Sequence, residues 1–563
     1  MFKILKKIKV KKINNLIGIF LMLNMLMLTK AQDPGGITAQ LWYKADAGIT
    51  QSAGTVTQWN NSASASYNLV QQGGTTSVPA YNTSQINFNP SIRFDGTNDR
   101  LYSPTVPQTV TTTAAAPFQT SQYVVYRKLG TAINPLYSHS DGVGGTWNVG
   151  GNSNGSMLIT NRSINTTAPV ANEIRLQSMN GDSNSATTYL NGTSMSSTFT
   201  GFTASIGTQN FWVGAQGTTG FSNTDIAEIV IYNTTQSAGR PQIESYLALK
   251  YGITKSGNYI ASNGTTNYWN ATTNTGYNSN ITGIARDNNS ALYQKQSMSI
   301  NPGQQILIGL TGMANTNVAN TGTLADQQFL VVGDNGLAKI PSTSISGIPG
   351  VNYRFASVWK VQNTNTVGTV RVMWIQGLSN LKLVQNSSDP TFTTGNVVTD
   401  MSANTQTING VIYNYADVTL TDGQYFTLAA FVQAPGGVVT NLQVWNKADF
   451  GTNTTAEGGT VNSWNNFAAA GGQLQALSGF SLHTANPTYM NQSSNFNPAV
   501  RMIQGAGLGM LNAFSTNATT SGTGGTFYNV SKAGAGTSPT LAYNVQMNVS
   551  AATLSAAGSS TGE

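Results

Sequence analysis

Short apolar or alternating runs, separated by turn-rich clusters, recur along residues 34–252. They occupy residues 91–94, 122–126, 156–159, 186–190, 211–214 and 226–232. Strand-length runs at this spacing predict an antiparallel β-sandwich. Asn191-Gly192 follows one of these runs and predicts a two-residue hairpin turn, because both residues tolerate the positive φ angles that such a turn requires.

Residues 241–251 depart from the strand pattern. Ile243, Tyr246 and Leu247 share one face at helical spacing, Pro241 stands at a suitable first helical position, and Gly252 follows the run. These are the start and stop signals of a helix. The sequence therefore predicts one amphipathic helix that closes the sandwich.

Residues 254–433 contain a second set of strand-like runs that does not match the first. The runs are residues 281–287, 305–310, 329–333, 357–361, 369–375 and 425–431. Val370, Val372 and Trp374 alternate with Arg371 and Met373, which is the pattern of a half-buried strand. We predict a separate β domain here.

The final segment, residues 434–563, repeats the beginning of the chain. Residues 42–46 return as 445–449, residues 56–61 as 461–466, and residues 88–90 as 496–498. A period this long indicates a second sandwich domain, since solenoid units have roughly 20 to 50 residues. The segment contains no counterpart of residues 226–232 or of the helix, so we expect an incomplete copy, by truncation or by degeneration. Truncation is favoured because an interrupted sandwich leaves unpaired strand edges.

Residues 1–31 have the order of a secretory signal peptide. Lysines precede an apolar run at residues 16–28, and Thr29 and Ala31 supply the small residues before a cut ahead of Gln32. The run is short for the roughly 20 residues that span a bilayer, so we expect cleavage and no remaining transmembrane segment, with an uncleaved anchor as the alternative. A chain recovered from membranes that still starts at Met1 would contradict this prediction.

Without this leader the chain is electrically neutral. Its seven lysines equal the whole net charge of +7, which leaves 20 basic against 20 acidic residues. Charged residues are only 8% of the chain, against about 25% in typical soluble domains. This composition argues against a nucleic-acid partner. The chain has no cysteine, and domains of this length can bury a sufficient core without disulfides.

Histidine chemistry has little support in the sequence. His139 and His483 are the only histidines and lie in different copies at positions that do not match. A metal cluster built on imidazole or a Ser-His-Asp triad is therefore not expected. We predict that His139 lies in a solvated loop.

A glycosidase would need two opposed carboxyl groups on its substrate cleft. The nearest candidates are Asp225 and Glu228, which are three residues apart and so should point to opposite faces of a strand. Glu173 and Asp182 stand alone. No catalytic residues are assigned, and the chain is not expected to be an enzyme.

Two features could mark binding. Asp95, Asn98 and Asp99 group oxygen ligands in one turn, as a calcium site would require. The alternative is an ordinary turn held by side-chain to backbone hydrogen bonds, and the corresponding residues 503–507 of the second copy contain no acid. Trp42 and Trp59 could stack on sugar rings, but their apolar settings favour burial in the core, and the same holds for their repeats at positions 445 and 464.

Several of these residues carry a resemblance to a known family. Residues 42–46, Phe94-Asp95-Gly96 with Asp99, residues 226–232 and the helix resemble concanavalin A-like (laminin-G-like) lectin/glucanase domains of bacterial surface proteins. The resemblance implies a jelly-roll of two curved antiparallel sheets. It does not specify function, since this superfamily includes lectins, adhesion modules, glycosidases and structural repeats. The middle region resembles an uncharacterised β module that often follows such a domain.

Together these features predict an all-β chain with four parts. They are a signal peptide at 1–31, a lectin-like sandwich at 32–253, a second β module at 254–433 and an incomplete sandwich copy at 434–563. We expect a secreted or cell-surface protein for adhesion or glycan binding, with an extracellular glycan or surface polymer as partner and calcium as the candidate cofactor. A polysaccharide-cleaving glycosidase and a passive surface spacer are the alternatives.

Overall fold

The computed structural model describes residues 32–74, 76–107, 119–130, 134–140, 147–149, 157–159, 162–164, 169–182, 185–195, 208–435, 438, 442, 444–449, 451–468, 473–476, 485–494, 496–502, 508–509, 543–549 and 552–557. Within these residues nearly all regular structure is strand, with a single α-helix and two 3-10 turns at Pro34–Gly36 and Asn288–Ser290. The predicted all-β class is confirmed. None of these residues form a helix long and apolar enough to cross a membrane. The predicted signal peptide and His483 lie outside the described residues.

Seventeen strands build the first domain. They are β1 (Leu41–Lys44), β2 (Ile49–Ser52), β3 (Thr55–Trp59), β4 (Leu69–Gln71), β5 (Ala80–Ile86), β6 (Asn89–Asp95), β7 (Leu101–Pro107), β8 (Gln119–Lys128), β9 (Tyr137–Ser140), β10 (Trp147–Val149), β11 (Met157–Ile159), β12 (Arg162–Ile164), β13 (Ile174–Asp182), β14 (Ala186–Leu190), β15 (Thr193–Ser194), β16 (Thr208–Val213) and β17 (Asn223–Tyr232).

These strands form two antiparallel layers. In one layer β17 pairs with β1, β6 and β8, and the sheet continues from β8 through β13 and β14 to β15. The other layer runs from β3 through β4, β7, β16, β9, β10 and β11 to β12. One apolar core containing residues from both layers lies between them. The predicted β-sandwich is confirmed.

The predicted helix is present as α1 (Arg240–Tyr251), with Pro241 in its first turn. It ends at Gly252, whose φ of 66° is the left-handed conformation that glycine adopts at little cost. Ile243 and Leu247 are fully buried against the outer face of the first layer. The closing role that the sequence assigned to this helix is confirmed for the sandwich.

Sixteen strands follow α1. They are β18 (Tyr259–Ile260), β19 (Asn267–Trp269), β20 (Ser279–Asp287), β21 (Leu292–Gln294), β22 (Gln296–Met298), β23 (Leu307–Leu310), β24 (Gln328–Asp334), β25 (Pro341–Ser344), β26 (Tyr353–Phe355), β27 (Trp359–Thr364), β28 (Thr369–Ile375), β29 (Ser379–Asn386), β30 (Val397–Asp400), β31 (Thr405–Ile408), β32 (Val411–Thr419) and β33 (Tyr425–Phe431). Two further antiparallel sheets enclose a core to which Val370, Val372 and Trp374 belong, as their alternation predicted.

The second module packs directly onto the sandwich through α1. The apolar cluster around α1 also contains Tyr268 and Phe329 of the second module, whose rings stack at 4.5 Å between centroids. Asn87 and Asn89 add polar contacts, since both side-chain amides donate to the backbone oxygen of Lys250, at 3.0 and 2.8 Å. The helix therefore covers one sandwich layer and joins it to the next module.

The final segment contains β34 (Ser463–Asn465), β35 (Gln473–Ala476), β36 (Thr488–Ser494), β37 (Asn497–Arg501), β38 (Leu508–Gly509), β39 (Tyr543–Val549) and β40 (Ala552–Ala557). Its described part reproduces contacts of the first copy. Asn61 Oδ1 accepts the backbone N–H of Trp42 at 2.9 Å, and Asn466 Oδ1 accepts that of Trp445 at 2.7 Å. The repeat seen in the sequence is thus also a repeat of local structure.

The predicted hairpin turn is confirmed, and one loop prediction is wrong. Asn191 and Gly192 have φ angles of 49° and 76° and connect β14 to β15. His139 lies in β9 and not in a solvated loop. It is buried, its Nε2 lies 2.9 Å from the backbone oxygen of Val106, and its ring meets the edge of Phe211. The surrounding serines and glycine suggested a turn, but this segment pairs with the nearby β10 and with β16, which begins only at Thr208.

Candidate functional site

A cavity of about 450 Å³ lies where the sandwich meets the second module. We call it the junction cavity. The β14–β15 hairpin contributes Leu190, Asn191, Thr193 and Met195; the segment after α1 contributes residues 254–257; and the second module contributes Ala271, Asn278 and Ile281. The hairpin is fixed against the segment after α1, because the backbone N–H of Ser256 donates to the backbone oxygen of Asn191 at 3.1 Å. The cavity is therefore a product of two modules.

Lys255 is the charged residue in the cavity lining. Its Nζ donates to the backbone oxygens of Ser256 and Asn258, at 3.1 and 2.6 Å, and lies 4.9 Å from the ring centre of Tyr259. Burial lowers the pKa of Lys255 from 10.5 to about 8. Desolvation disfavours the charged form of an amine, and carbonyl dipoles compensate for it only in part.

Three acceptor atoms of the cavity lining already have partners. Asn191 Oδ1 accepts the backbone N–H of Leu176 at 3.0 Å, and Asn278 Oδ1 accepts the indole N–H of Trp269 at 2.9 Å. Thr254 Oγ1 accepts the backbone N–H of Ile281 at 3.0 Å. These three oxygens are thus less available to a ligand than the Asn191 amide N–H groups, which make no hydrogen bond within the described residues.

A buried polar network surrounds Glu228 on β17. Its carboxylate accepts four hydrogen bonds, from Trp42 Nε1 at 2.6 Å and from Tyr246 OH, Lys250 Nζ and Tyr251 OH at 2.8 Å each. Three of the four donors lie on α1. Full satisfaction of a buried carboxylate in this way stabilises one packing arrangement of helix on sheet.

Asp225 is also fully buried and paired. It accepts from Arg93 Nε at 2.8 Å and from Arg127 Nη2 at 2.6 Å. The prediction that Asp225 and Glu228 point to opposite faces is wrong. A β-bulge between Ile226 and Glu228 shifts the register against β8. A bulge inserts one extra residue, so both carboxylates point to the helix-bearing face of the sheet. Each is nevertheless neutralised by its own cations.

The turn at residues 95–99 uses its carboxylates locally. Asp95 Oδ1 accepts the backbone N–H of Thr97 at 2.7 Å, and Asp99 Oδ2 accepts that of Asp95 at 3.0 Å. Asn98 Oδ1 is buried and has no hydrogen-bond partner in the described part of the chain, so this oxygen is of the kind that could serve as a ligand for a cation. Burial raises the pKa of Asp99 to about 6. The described residues contain no group of three or more His, Cys, Asp or Glu side chains suited to a metal. Calcium at Asp95, Asn98 and Asp99 stays a prediction.

Trp42 and Trp59 occupy core positions as predicted, whereas the prediction is wrong for their repeats Trp445 and Trp464, which are only partly buried. Trp42 and Trp59 are 1% and 0% exposed. Trp42 contacts Tyr246 edge to face at 6.3 Å, and Trp59 contacts Tyr43 at 5.8 Å. Neither indole can serve as a platform for a sugar ring in this arrangement.

Sequence reasoning did not find the junction cavity. Lys255 stands in Lys255-Ser256-Gly257, which looks like any polar turn after a helix. The one sequence feature that pointed toward the cavity was Asn191-Gly192, because it predicted the β14–β15 hairpin that forms part of the lining. Nothing in the sequence placed that hairpin beside residues 254–257.

The comparisons with known proteins give one family match and weak structural likenesses. Residues 239–424 match the model of a family described as a domain of unknown function, DUF8202. The matched segment includes all of α1 and most of the second module. A search of curated proteins gives no match.

Three solved structures illustrate the structural likenesses. Trypanosoma rangeli sialidase is 12% identical, with 36% of this chain and 31% of that chain covered and a TM-score of 0.27. Domain 4 of AbnA, a GH43 extracellular arabinanase from Geobacillus stearothermophilus, in complex with arabinotriose, is 13% identical with 37% and 97% covered and a TM-score of 0.27. A mutant of HCR/D is 10% identical with 72% and 99% covered and a TM-score of 0.32. The chain spans about a third of the length of the sialidases. Likenesses this weak carry no functional argument.

Proposed function

We propose that this chain is a non-catalytic glycan-binding protein of the cell surface or the extracellular space, and that the junction cavity holds the sugar. The observation that carries this proposal is the cavity itself. Its volume of about 450 Å³ lies within the range of small-ligand sites, roughly 300 to 1,000 Å³. Hydroxyl, amide and ammonium groups for sugar hydroxyls line it beside the aliphatic Leu190, Met195 and Ile281, which suit the C–H face of a sugar ring.

The state of the carboxylates favours binding over cleavage. Hydrolysis of a glycosidic bond requires two carboxyl groups that face the substrate. Asp225, Glu228 and Glu244 are at most 1% exposed, and each forms an ion pair within the protein. A carboxylate committed in this way is not free to act as an acid, base or nucleophile.

Two finer assignments accompany this proposal. The sandwich is assigned to the concanavalin A-like family on the residues quoted above, with support from its two antiparallel layers and its helix. Export is assigned on the leader at residues 1–31 and on a remaining composition that is neutral and poor in charge.

A glycan array probed with the purified chain tests this function, and Asn191→Asp locates the site. The aspartate keeps the acceptor for Leu176 and tolerates positive φ, but it lacks the Nδ2 donor. We expect array signals to fall at least about fivefold with little change in melting temperature, as for loss of one hydrogen bond of about 1 kcal/mol. Asn409→Asp is the control for the added charge, because Asn409-Gly410 is also a hairpin turn with positive φ and lies outside the cavity lining. The bonds that this control loses, to Ser84 and Asn315, also lie outside the cavity.

Two outcomes would contradict the proposal. If the chain binds no glycan on the array, the passive spacer becomes the better reading. If it binds glycans and Asn191→Asp binds as well as Asn409→Asp, the junction cavity is not the site.

A further inference from the structure

Two lysines near the end of α1 are equally buried but have opposite electrostatic surroundings. Lys250 and Lys255 are 3% and 5% exposed. Lys250 Nζ pairs with Glu228 at 2.8 Å and with Asp46 at 3.0 Å. Lys255 has no carboxylate within ion-pair distance among the described residues and contacts only backbone oxygens and the Tyr259 ring. A buried cation without an anion is costly, so an anion from outside the chain would be favoured there.

The charges around Lys255 do not supply that anion. Glu244 and Arg240 are the charged groups that act on it, both from α1, and they have opposite signs. They pair with each other at 2.7 Å, so their fields largely cancel at the lysine. Tyr259, from β18, is the titratable group in contact from the second module, and its hydroxyl is occupied by donating to the backbone oxygen of Ile253 at 2.9 Å.

We infer that the junction cavity takes a carboxylated sugar, a uronic acid residue of an acidic polysaccharide, with Lys255 as the cation that pairs with its carboxylate. This inference rests on the glycan-binding function proposed above and names its ligand class. Lys255 uses two of its three N–H donors within the chain and has one left.

The remaining polar groups of the cavity agree with an acceptor-rich ligand. Asn191 Nδ2 makes no hydrogen bond within the described residues, and the Thr254 hydroxyl accepts from Ile281 and Asn301 while its own proton stays available. An ionised carboxylate is acceptor-only, and charge-assisted hydrogen bonds are roughly twice as strong as neutral ones. A neutral sugar would leave the lysine unpaired.

The test compares each acidic probe with its own methyl ester by isothermal titration calorimetry. Oligogalacturonides and oligoglucuronides serve as probes, since esterification removes the charge and keeps the sugar backbone. At pH 7 we expect the acids to bind at least about tenfold more tightly than the esters. Lys255→Met should abolish that difference. Lys295→Met is the matched control, because Lys295 also contacts backbone oxygens and a tyrosine ring but lies outside the cavity lining.

A pH series adds a second readout. The pKa of Lys255 is lowered to about 8, so the free protein loses this charge above that pH. Affinity for the acids should therefore fall between pH 7 and pH 9, with no such change for the esters. Lys255→Arg should bind the acids with little pH dependence, since arginine stays charged.

The outcomes separate the inference from the function on which it rests. Equal affinity for acids and esters, unchanged in Lys255→Met, would overturn the carboxylate assignment and leave glycan binding intact. If the chain binds none of the acids, the esters and the arrayed glycans, both the carboxylate assignment and the glycan-binding function are contradicted. If Lys255→Met does not fold, the unmodified chain still tests the inference. Its affinities for acids and esters, and their pH dependence, show whether the cavity binds a carboxylate.

Discussion

The two sandwich copies share local structure but differ in burial. Trp59 Nε1 donates to the backbone oxygen of Lys44 at 3.0 Å, and Trp464 Nε1 donates to that of Lys447 at the same distance. The turn sequences and their hydrogen bonds are therefore the same in both copies. Short-range sequence is sufficient for this part of the structure.

Corresponding side chains are buried in the first copy but exposed in the second. Leu41 and Phe94 are 0% exposed in the first copy, whereas the corresponding Val444 and Met502 are 41% and 48% exposed. Leu41 belongs to β1, which pairs along its length with β17. The described residues of the second copy include no counterpart of β17 or α1. In the first copy, full burial of these positions goes together with β17 and α1, two elements that come about 180 residues or more after β1 in the chain.

The largest expected effect is that of truncating the first tryptophan. Trp42→Ala should cost about 3 to 5 kcal/mol, because it empties a buried site and removes the indole donor from Glu228. Trp445→Ala should cost about 1 kcal/mol or less, since Trp445 is only partly buried. Urea unfolding followed by circular dichroism measures both. Equal losses would show that β17 and α1 are not what makes the first position a core position.

The next effect concerns the buried ion pair between Glu228 and Lys250 in the first copy. Glu228→Gln or Lys250→Met alone should cost about 3 kcal/mol or more, because each leaves a buried charge without its partner. The double variant should cost less than the sum of the two by roughly 1 to 3 kcal/mol.

Lys382→Met is the control for that cycle. Its pair with Asp400, at 3.0 Å, lies at the surface, where such pairs contribute about 0 to 1 kcal/mol. Strict additivity of Glu228→Gln and Lys250→Met would mean that the two groups act independently and that the network does not fix α1 on the sheet.

The sequence predicted well where the signal was local. The helix ends at Gly252 because a left-handed residue is needed there, and the Asn191-Gly192 hairpin follows from positive φ at both positions. It failed where partners were distant. His139 is buried by strands that its neighbours in sequence do not reveal. The bulge between Ile226 and Glu228 places the Glu228 carboxylate on the same face as Asp225 and not on the opposite one. The alternation of side chains along a single strand does not reveal such an insertion.

The site was harder to predict than the fold for the same reason. Lys255 becomes a candidate only once a hairpin 60 residues earlier and strands of the next module surround it. Asp95 and Asp99, by contrast, were found because calcium-like spacing is a local pattern. The acidic turn thus has a local sequence pattern, whereas the cavity has none.

The smallest expected effect is the pH dependence of the turn at residues 95–99. Burial raises the pKa of Asp99 to about 6, against about 3.9 in the unfolded chain. The folded state then holds the proton more tightly, so this residue favours folding below about pH 4, and that contribution is lost as the pH rises to about 6. A shift of about two pK units limits the contribution of Asp99 to the free energy of unfolding to about 2.7 kcal/mol. Water around the exposed Asp95 reduces this to roughly 1 to 2 kcal/mol.

Asp99→Asn tests this assignment and the calcium prediction together. Asparagine can still accept the backbone N–H of Asp95, so the turn is kept while the titration is removed. In buffers with chelator, the unmodified chain should lose stability between pH 4 and pH 6 relative to Asp99→Asn. If calcium binds, adding it at pH 7 should restore stability by mass action in the unmodified chain only. Residues 503–507 of the second copy contain no acid, so the effect must come from the first. Parallel pH profiles would show that Asp99 titrates normally, and stability that does not respond to calcium would mean that the acidic turn is only a turn.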